Sequence, residues 1–212
     1  MLIAIPIFPR LTALDAVGPY EVLQRLPDSE LVFVGHRSGN IRTDNGFLGL
    51  AVDAVLEEVR APDVIVFPGG VGTRALMRDE RVLAWLRQAH ETTRFTTSVC
   101  TGALVLGAAG LLDGLEATTH WSAYDILERT GAKPVASRVV EHLDRRIITA
   151  AGVSSGIDMA LRLAELLVDS TAAQAMQLMI EYDPQPPFDA GGVAKAEKAV
   201  MERALEYSRK RY

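Results

Sequence analysis

Short runs of consecutive apolar residues alternate with helical patterns along this chain, and this alternation limits the possible folds more than any other feature. Val64–Phe67 is such a run, and Pro68-Gly69-Gly70 ends it. Gly156–Leu167 shows the apolar spacing of an amphipathic helix. Strands that are apolar on both faces occur where helices cover a parallel sheet from both sides. The sequence therefore predicts an α/β fold, a three-layer sandwich with a mainly parallel central sheet and helices on both faces.

The predicted elements follow one another from end to end with no linker, internal repeat or low-complexity segment between them. We predict strands over Leu2–Phe8, Leu31–Gly35, Val64–Phe67, Phe95–Val99, Ala117–Thr119, Arg138–His142 and Arg146–Ala150. A hairpin is predicted over Ile41–Val52, because its Asn45-Gly46 pair is a strong hairpin signal. We predict helices over Leu14–Arg25, Glu80–His90, Gly102–Gly110, Ala123–Arg129, Gly156–Leu167, Thr171–Glu181 and Val193–Arg211. The 212 residues are expected to form a single domain over 1–212.

Composition and charge exclude several classes of function. The net charge is −5, without a basic block, which argues against nucleic acid as a partner and against an anionic membrane surface. No apolar run approaches the length of a membrane span, and the apolar start lacks the basic region of a signal peptide. A single cysteine excludes an intrachain disulfide and is typical of a reducing compartment. We therefore expect a cytoplasmic protein.

That single cysteine, Cys100, lies between the predicted strand Phe95–Val99 and the predicted helix Gly102–Gly110. A side chain at such a junction is held on a tight turn at a helix N-terminus, where backbone N–H groups and the helix dipole favour an anion. We therefore expect a lowered thiol pKa and a thiolate nucleophile near neutral pH. The alternative is an inert core cysteine, since free cysteine is among the most buried residue types.

Other polar groups follow predicted strands, at the carboxyl edge where doubly wound sheets bind their ligands. Asp15 is either an acidic residue that stabilises a first helical turn or a general acid or base facing the thiolate. The backbone N–H groups of Gly70 and Thr101 would form an oxyanion-type hole, unless Gly70 only serves a plain turn. His120 is either part of the pocket or a structural histidine beside Trp121.

The turn from Gly152 to Gly156 opens a predicted helix, and Ser154 either caps that helix or lines the pocket. The chain has no G-x-S-x-G elbow, which argues against a serine hydrolase. The remaining histidines lack a cysteine or carboxylate cluster at metal spacing, so we predict no metal site.

Five segments together resemble the ThiJ/PfpI superfamily, which has a class I glutamine amidotransferase-like, flavodoxin-like fold. They are Asp15-x-x-Gly18-Pro19-x-Glu21-Val22, Pro68-Gly69-Gly70, Val99-Cys100-Thr101-Gly102-Ala103, Ala117-Thr118-Thr119-His120-Trp121 and Ala151-Gly152-Val153-Ser154-Ser155-Gly156-Ile157-Asp158. Each is weak alone, but jointly they are specific. The stretch Glu181–Gly191 is similar to the C-terminal segment of the isonitrile hydratase branch. Thr101 stands where the protease and glyoxalase-type branches usually place histidine, which argues against a protease.

The resemblance implies a lyase that hydrates isonitriles (isocyanides) to N-substituted formamides without a cofactor. Cys100 would attack the isocyanide carbon to give a thioimidate. Asp15 would protonate that carbon and later help to activate water, while Thr101 would support the site through its hydroxyl and backbone N–H. The family also implies a homodimer.

Two other hypotheses remain open alongside the hydratase. One is an enzyme of the same fold, of glyoxalase or deglycase type, that acts on small carbonyl electrophiles. The other is a non-catalytic protein that senses redox state or binds a ligand through an oxidisable Cys100. The same core occurs as the sensor half of AraC-type regulators, but no helix-turn-helix segment follows it in this sequence. All three hypotheses depend on an electrophilic small molecule or an oxidant meeting Cys100.

Overall fold

Seven strands form one central sheet in the computed structural model, which describes residues 1–211. The strands of this sheet are β1 Leu2–Pro6, β2 Glu30–Gly35, β5 Ala54–Val55, β6 Val64–Phe67, β7 Phe95–Val99, β10 Val139–His142 and β11 Ile147–Ala150. Their spatial order is β10-β11-β7-β6-β1-β2-β5. All neighbouring pairs are parallel except β10 with β11. The predicted mainly parallel sheet is confirmed.

Four short strands lie outside this sheet. The predicted hairpin is confirmed as β3 Gly39–Arg42 paired antiparallel with β4 Gly49–Val52. The predicted strand Ala117–Thr119 is wrong in extent and in placement. Only β8 Glu116–Ala117 is extended, and it pairs with β9 Lys133–Pro134. The physical reason is that the Thr118 N–H donates to the Thr149 side chain, so it cannot join a strand ladder.

Eight α-helices lie within residues 1–211, and those between β1 and β11 connect the strands. They are α1 Ala13–Leu23, α2 Thr73–Leu76, α3 Glu80–Thr92, α4 Gly102–Ala108, α5 Tyr124–Glu128, α6 Ser155–Leu167, α7 Ser170–Met179 and α8 Lys198–Arg211. Every predicted helix is present, with shifted ends, and α8 begins five residues later than Val193. The α1 and α6 helices pack on each other, whereas α4 packs against α2, α3 and α5.

The strand order explains why helices lie on both faces. The connection from β1 to β2 moves one way across the sheet, and the connection from β6 to β7 moves the other way. Because such crossovers are almost always right-handed, their helices cover opposite faces. The two directions diverge between β1 and β6, which are direct neighbours. This point of divergence is where doubly wound sheets open a crevice for ligands.

Contacts divide the chain into two compact units. The first is Met1–Ile180, and the second is Glu181–Tyr212, of which Tyr212 lies outside the described residues. The buried core is within the first unit, where β1, β6, β7 and β11 are almost completely inaccessible to solvent. The single domain over 1–212 stays a prediction. Within residues 1–211, every helix is too short or too polar to span a bilayer.

Candidate active site

The carboxyl ends of four parallel strands meet at one edge of the sheet and carry the candidate site. Asp15 follows β1, Gly69 follows β6, Cys100 follows β7, and Val153 follows β11. The Gly69 N–H donates to the Asp15 carboxyl at 3.0 Å, so it joins β1 to β6 where the crossovers diverge. The predicted gathering of these positions at one sheet edge is therefore observed for Asp15, Gly69 and Cys100.

Cys100 has a backbone conformation that residues other than glycine rarely adopt. Its φ is +57°, in the left-handed region. Its N–H donates to the carbonyls of both Ala150 and Ala151, each at 3.0 Å, and its own carbonyl accepts from the Thr119 hydroxyl at 2.8 Å. Such strain persists only where surrounding contacts maintain it, and it is common at active sites. The sharp turn between β7 and α4 is therefore maintained by partners from distant segments.

Asp15 lies in the first turn of α1 and is completely buried. Its Oδ2 accepts the Gly69 bond, while Oδ1 makes none of the hydrogen bonds described for residues 1–211. Burial raises the pKa of this carboxyl to about 7, and the Asp44 charge adds to the rise. The Cys100 thiol and the Gly69 N–H act in the opposite direction. Asp15 can therefore both give and accept a proton near neutral pH.

Cys100 is 5% exposed, and the pKa of its thiol is raised, whereas the sequence predicted a lowered pKa. Burial raises the pKa of the thiol, and the neighbouring Asp15 raises it further. The backbone N–H groups of Thr101 and Val153 face the sulfur and lower that pKa, but by less. The expected lowering is wrong because desolvation of the thiolate outweighs the amides at the helix N-terminus.

Thr101 and Gly70 are joined by hydrogen bonds across the site. The Gly70 N–H donates to Thr101 Oγ1 at 2.9 Å, and that hydroxyl is 3.0 Å from the Gly70 carbonyl oxygen. Because the Gly70 N–H is engaged with this hydroxyl, it does not pair with the Thr101 N–H as an oxyanion-type hole in this arrangement. The two amides directed at the nucleophile are instead those of Thr101 and Val153.

Gly69 is enclosed so tightly that no side chain fits there. A Cβ atom on Gly69 would lie 2.5 Å from Thr101 N and 2.8 Å from both Asp15 Oδ2 and Thr101 Oγ1. The close approach of these three groups to the Gly69 backbone brings the carboxyl and the start of α4 together.

His120 and Trp121 lie beside the site, in a segment that does not directly follow a strand of the central sheet. His120 caps a short 3₁₀ turn, and its Nδ1 is 2.8 Å from Ser122 Oγ. Its ring packs on Gly152, where a Cβ would lie 2.7 Å from His120 Cδ2, and is 5.3 Å from the Trp121 ring. Burial lowers the pKa of His120, and the Arg74 charge contributes. Among the described residues, His120 makes no hydrogen bond to Cys100.

Ser154 lies at the start of α6 without capping it through its side chain. It is exposed, and its hydroxyl is 3.4 Å from Arg138 Nη2. Within residues 1–211, no group of three or more His, Cys, Asp and Glu side chains is arranged to hold a metal ion.

The sequence indicated no role for Val153 or Thr119, and it predicted Gly69 at the sheet edge without its contact to Asp15. Val153 has a φ of +41°, which is rare for a β-branched residue, and no sequence pattern predicts it. Thr119 is adjacent to the candidate residue His120, and this position was only a weak indication that Thr119 belongs to the site. Gly69 stands beside Gly70 in a Pro-Gly-Gly turn, but only the packing shows which of the two glycines contacts Asp15.

A buried thiol, a buried carboxyl of raised pKa and two amides on the sulfur form a set suited to nucleophilic catalysis with proton transfer. The carboxyl can take the proton of the thiol, and the amides can stabilise negative charge on the sulfur.

The isonitrile hydratase of Pseudomonas putida is 45% identical to this chain over 198 residues, covering 93% of this chain and 86% of the hydratase. This similarity to an enzyme along nearly all of both chains shows that the present chain is an enzyme. The HTH-type transcriptional regulator GbdR of Pseudomonas aeruginosa is 31% identical over 116 residues, and the chain spans about a third of its length, 31%.

A solved structure of a ThiJ/PfpI family protein from Pseudomonas syringae matches this fold with a TM-score of 0.92 at 38% identity. The match covers 99% of this chain and 86% of the other. The expected flavodoxin-like α/β architecture is thereby confirmed. The DJ-1/PfpI family model matches residues 1–166. By its sequence, its sheet topology and the cysteine turn after β7, this chain belongs to the DJ-1/PfpI family.

Proposed function

We propose that this chain hydrates isonitriles to N-substituted formamides, with Cys100 as the nucleophile and Asp15 as general acid and base. The observation that carries the proposal is the buried Asp15 carboxyl, of pKa about 7, beside the Cys100 thiol. The similarity to an isonitrile hydratase supports the same reaction. A thiolate is a soft nucleophile, which suits the soft carbon of an isocyanide.

The first step forms a thioimidate. The Cys100 thiol transfers its proton to the Asp15 carboxylate, and the resulting thiolate attacks the terminal carbon of the isonitrile. The new S–C bond forms while Asp15 returns the proton to that carbon, giving an R–N=CH–S group on Cys100. The N–H groups of Thr101 and Val153 stabilise the negative charge on sulfur before the attack.

The second step uses water. The oxygen of a water molecule adds to the thioimidate carbon, and the nitrogen gains a proton. The tetrahedral carbon then forms its C=O bond, the C–S bond breaks towards Cys100, and Asp15 accepts the hydroxyl proton. The products are R–NH–CHO and an Asp15–Cys100 pair that again carries one proton and one negative charge. Asp15 therefore acts as a base twice, towards the thiol and the hydroxyl, and as an acid once, towards the isonitrile carbon.

The remaining predicted site residues have supporting roles in this proposal. Thr101 positions the turn through its hydroxyl and presents its N–H to the sulfur. Gly70 supports Thr101. We place four further residues around the substrate: His120, Trp121, Gly152 and Ser154.

The test is turnover of cyclohexyl isocyanide or para-nitrophenyl isocyanide by purified, reduced protein, followed as formamide by chromatography. We expect Cys100→Ala to abolish turnover and Asp15→Asn to lower kcat by about 100-fold or more, the usual contribution of a general acid or base. Glu21→Gln, a half-exposed carboxyl on the same helix, is the matched control and should retain activity.

Turnover that persists in Cys100→Ala would contradict the proposal. Turnover of methylglyoxal without isonitrile hydration would favour the glyoxalase-type enzyme instead. Oxidation of Cys100 by peroxide without turnover of either substrate would favour the redox-sensing protein.

Two further properties belong to the proposal. We propose a homodimer, supported by exposed apolar side chains on neighbouring helices, with Leu14 on α1 41% exposed, Leu178 on α7 77% and Met179 on α7 60%. We also propose that the protein acts in the cytoplasm, since a lone, unpaired cysteine nucleophile needs a reducing environment.

A further inference from the structure

The Thr119 hydroxyl makes a buried contact that the proposed mechanism does not use. Thr119 is fully buried, and its Oγ–H donates to the carbonyl oxygen of Cys100 at 2.8 Å. The other described hydrogen bond to that oxygen, from the Ala103 N–H, is longer at 3.4 Å. Thr119 therefore makes the shorter contact to the carbonyl of a residue in a strained conformation.

This bond also determines where the next amide points. The Cys100 carbonyl and the Thr101 N–H belong to one planar trans peptide unit, in which C=O and N–H point in opposite directions. The Thr101 N–H faces the Cys100 sulfur. Because the unit is rigid, holding its oxygen at one end fixes the direction of the N–H at the other end.

We propose that Thr119 is a positioning residue for the nucleophile, whose hydroxyl holds the Cys100–Thr101 peptide so that its N–H stabilises negative charge on the Cys100 sulfur. The inference uses the proposed function only in taking Cys100 as the nucleophile. It makes a statement about the reactivity of one sulfur, which is measurable without any isonitrile.

Thr118 provides a matched control at the adjacent position. It is the same residue type and equally buried, but its Oγ1 makes no hydrogen bond within residues 1–211. Its backbone N–H donates to Thr149 Oγ1 at 3.0 Å, and a side-chain substitution leaves that bond in place. Thr118→Val therefore removes a buried hydroxyl that makes no hydrogen bond, whereas Thr119→Val removes the hydroxyl that donates to the Cys100 carbonyl.

The experiment is the rate of alkylation of Cys100 by iodoacetamide as a function of pH, measured by mass spectrometry of the intact protein. The sulfur displaces iodide from the methylene carbon, an S–C bond replaces the C–I bond, and the thiol proton goes to the buffer. Because Cys100 is the only cysteine in the sequence, the label reports on that sulfur alone. Wild type is compared with Thr119→Val, Thr119→Ser and Thr118→Val, each checked for folding by circular dichroism.

We expect Thr119→Val to react about tenfold more slowly at pH 7, with the pH profile moved upward by about one unit, since one pKa unit is a tenfold change in thiolate. Thr119→Ser, which retains the hydroxyl, and Thr118→Val should react at the wild-type rate. A purely structural role for Thr119 would alter thermal unfolding without moving the pH profile.

Three results would overturn the inference. They are an unchanged rate in Thr119→Val, a rate in Thr119→Ser as low as in Thr119→Val, and an equal loss in Thr118→Val. If Thr119→Val does not fold, Thr119→Ser against Thr119→Ala repeats the comparison with the hydroxyl as the difference. Absence of isonitrile turnover in the wild type would contradict the proposed function, but the alkylation rates would still test the role of Thr119.

Discussion

At the scale of single residues, the site is defined by two acids that share one negative charge. Burial raises the pKa of both Asp15 and Cys100; the Asp15 charge raises the pKa of Cys100 further, whereas the Cys100 thiol lowers the pKa of Asp15. The two protons of such a coupled pair are lost in two steps, and the apparent pKa of each step describes the pair and not a single residue. Above a pH of about 7 the pair therefore carries one proton and one negative charge, which is the form in which the proposed reaction begins and ends.

The raised pKa of Asp15 predicts a pH-dependent stability. The folded protein binds this proton more tightly than the unfolded chain, because the pKa rises from 3.8 to about 7. Stability from this group is present below pH 3.8 and is lost as the pH rises to about 7. Asp15→Asn cannot ionise, so it should be more stable than wild type at pH 8, by at most roughly 4 kcal/mol for about three pKa units.

Urea denaturation at pH 4 and pH 8 measures this difference, which should shrink towards zero at pH 4. Glu21→Gln, with its half-exposed carboxyl, controls for removal of a charge from the same helix. An Asp15→Asn variant less stable than wild type at pH 8 would contradict the argument from burial.

At the scale of elements, the site depends on how closely α4 approaches β6. Gly102 begins α4, and a Cβ atom on it would lie 2.1 Å from the Phe67 carbonyl oxygen. Gly69, two residues after β6, lies against Thr101 N at the start of the same helix. Glycines at these two positions allow backbone to lie against backbone, so the N-terminus of α4 stays next to the carboxyl ends of β6 and β7.

Gly102→Ala should therefore displace α4 and lower both stability and activity. Overpacking of a closely packed core costs about 1–3 kcal/mol, and the backbone oxygen at 2.1 Å favours the upper end. Thermal unfolding and isocyanide turnover measure the two effects. Gly191→Ala has nothing within 4 Å and should match wild type in both assays. Equal melting temperatures for the two variants would show that α4 adjusts freely.

At the scale of the whole molecule, the order of the strands decides which residues meet. Asp15 and Cys100 are far apart in the sequence, but β1, β6 and β7 are consecutive in the sheet. Their carboxyl ends therefore bring the acid, the glycine turn and the nucleophile together.

The proposed homodimer makes a prediction about the α7 surface. Leu178→Lys with Met179→Lys places charges on two exposed apolar positions, and we expect this double variant to be monomeric because lysine is costly to bury in an interface. Light scattering after gel filtration measures the mass. Leu143→Lys, at an exposed apolar position beyond β10, should leave the mass of the wild type unchanged. A monomeric wild type would contradict the dimer.

Most strands and helices, and the turn that carries Cys100, were predictable from the sequence, because apolar periodicity and the conformations of glycine and proline depend on neighbouring residues. The short elements β5, β9 and α2 were not predicted, and the strand at Ala117–Thr119 was predicted wrongly. Tertiary structure alone decided the direction of the Cys100 pKa, the partner of the Gly70 N–H and the contact of Thr119 with the nucleophile turn. Each of these depends on burial or on a hydrogen bond between residues 19 or more positions apart. The sequence therefore determined which groups are available for chemistry, and the packing of distant segments determined their protonation and their direction.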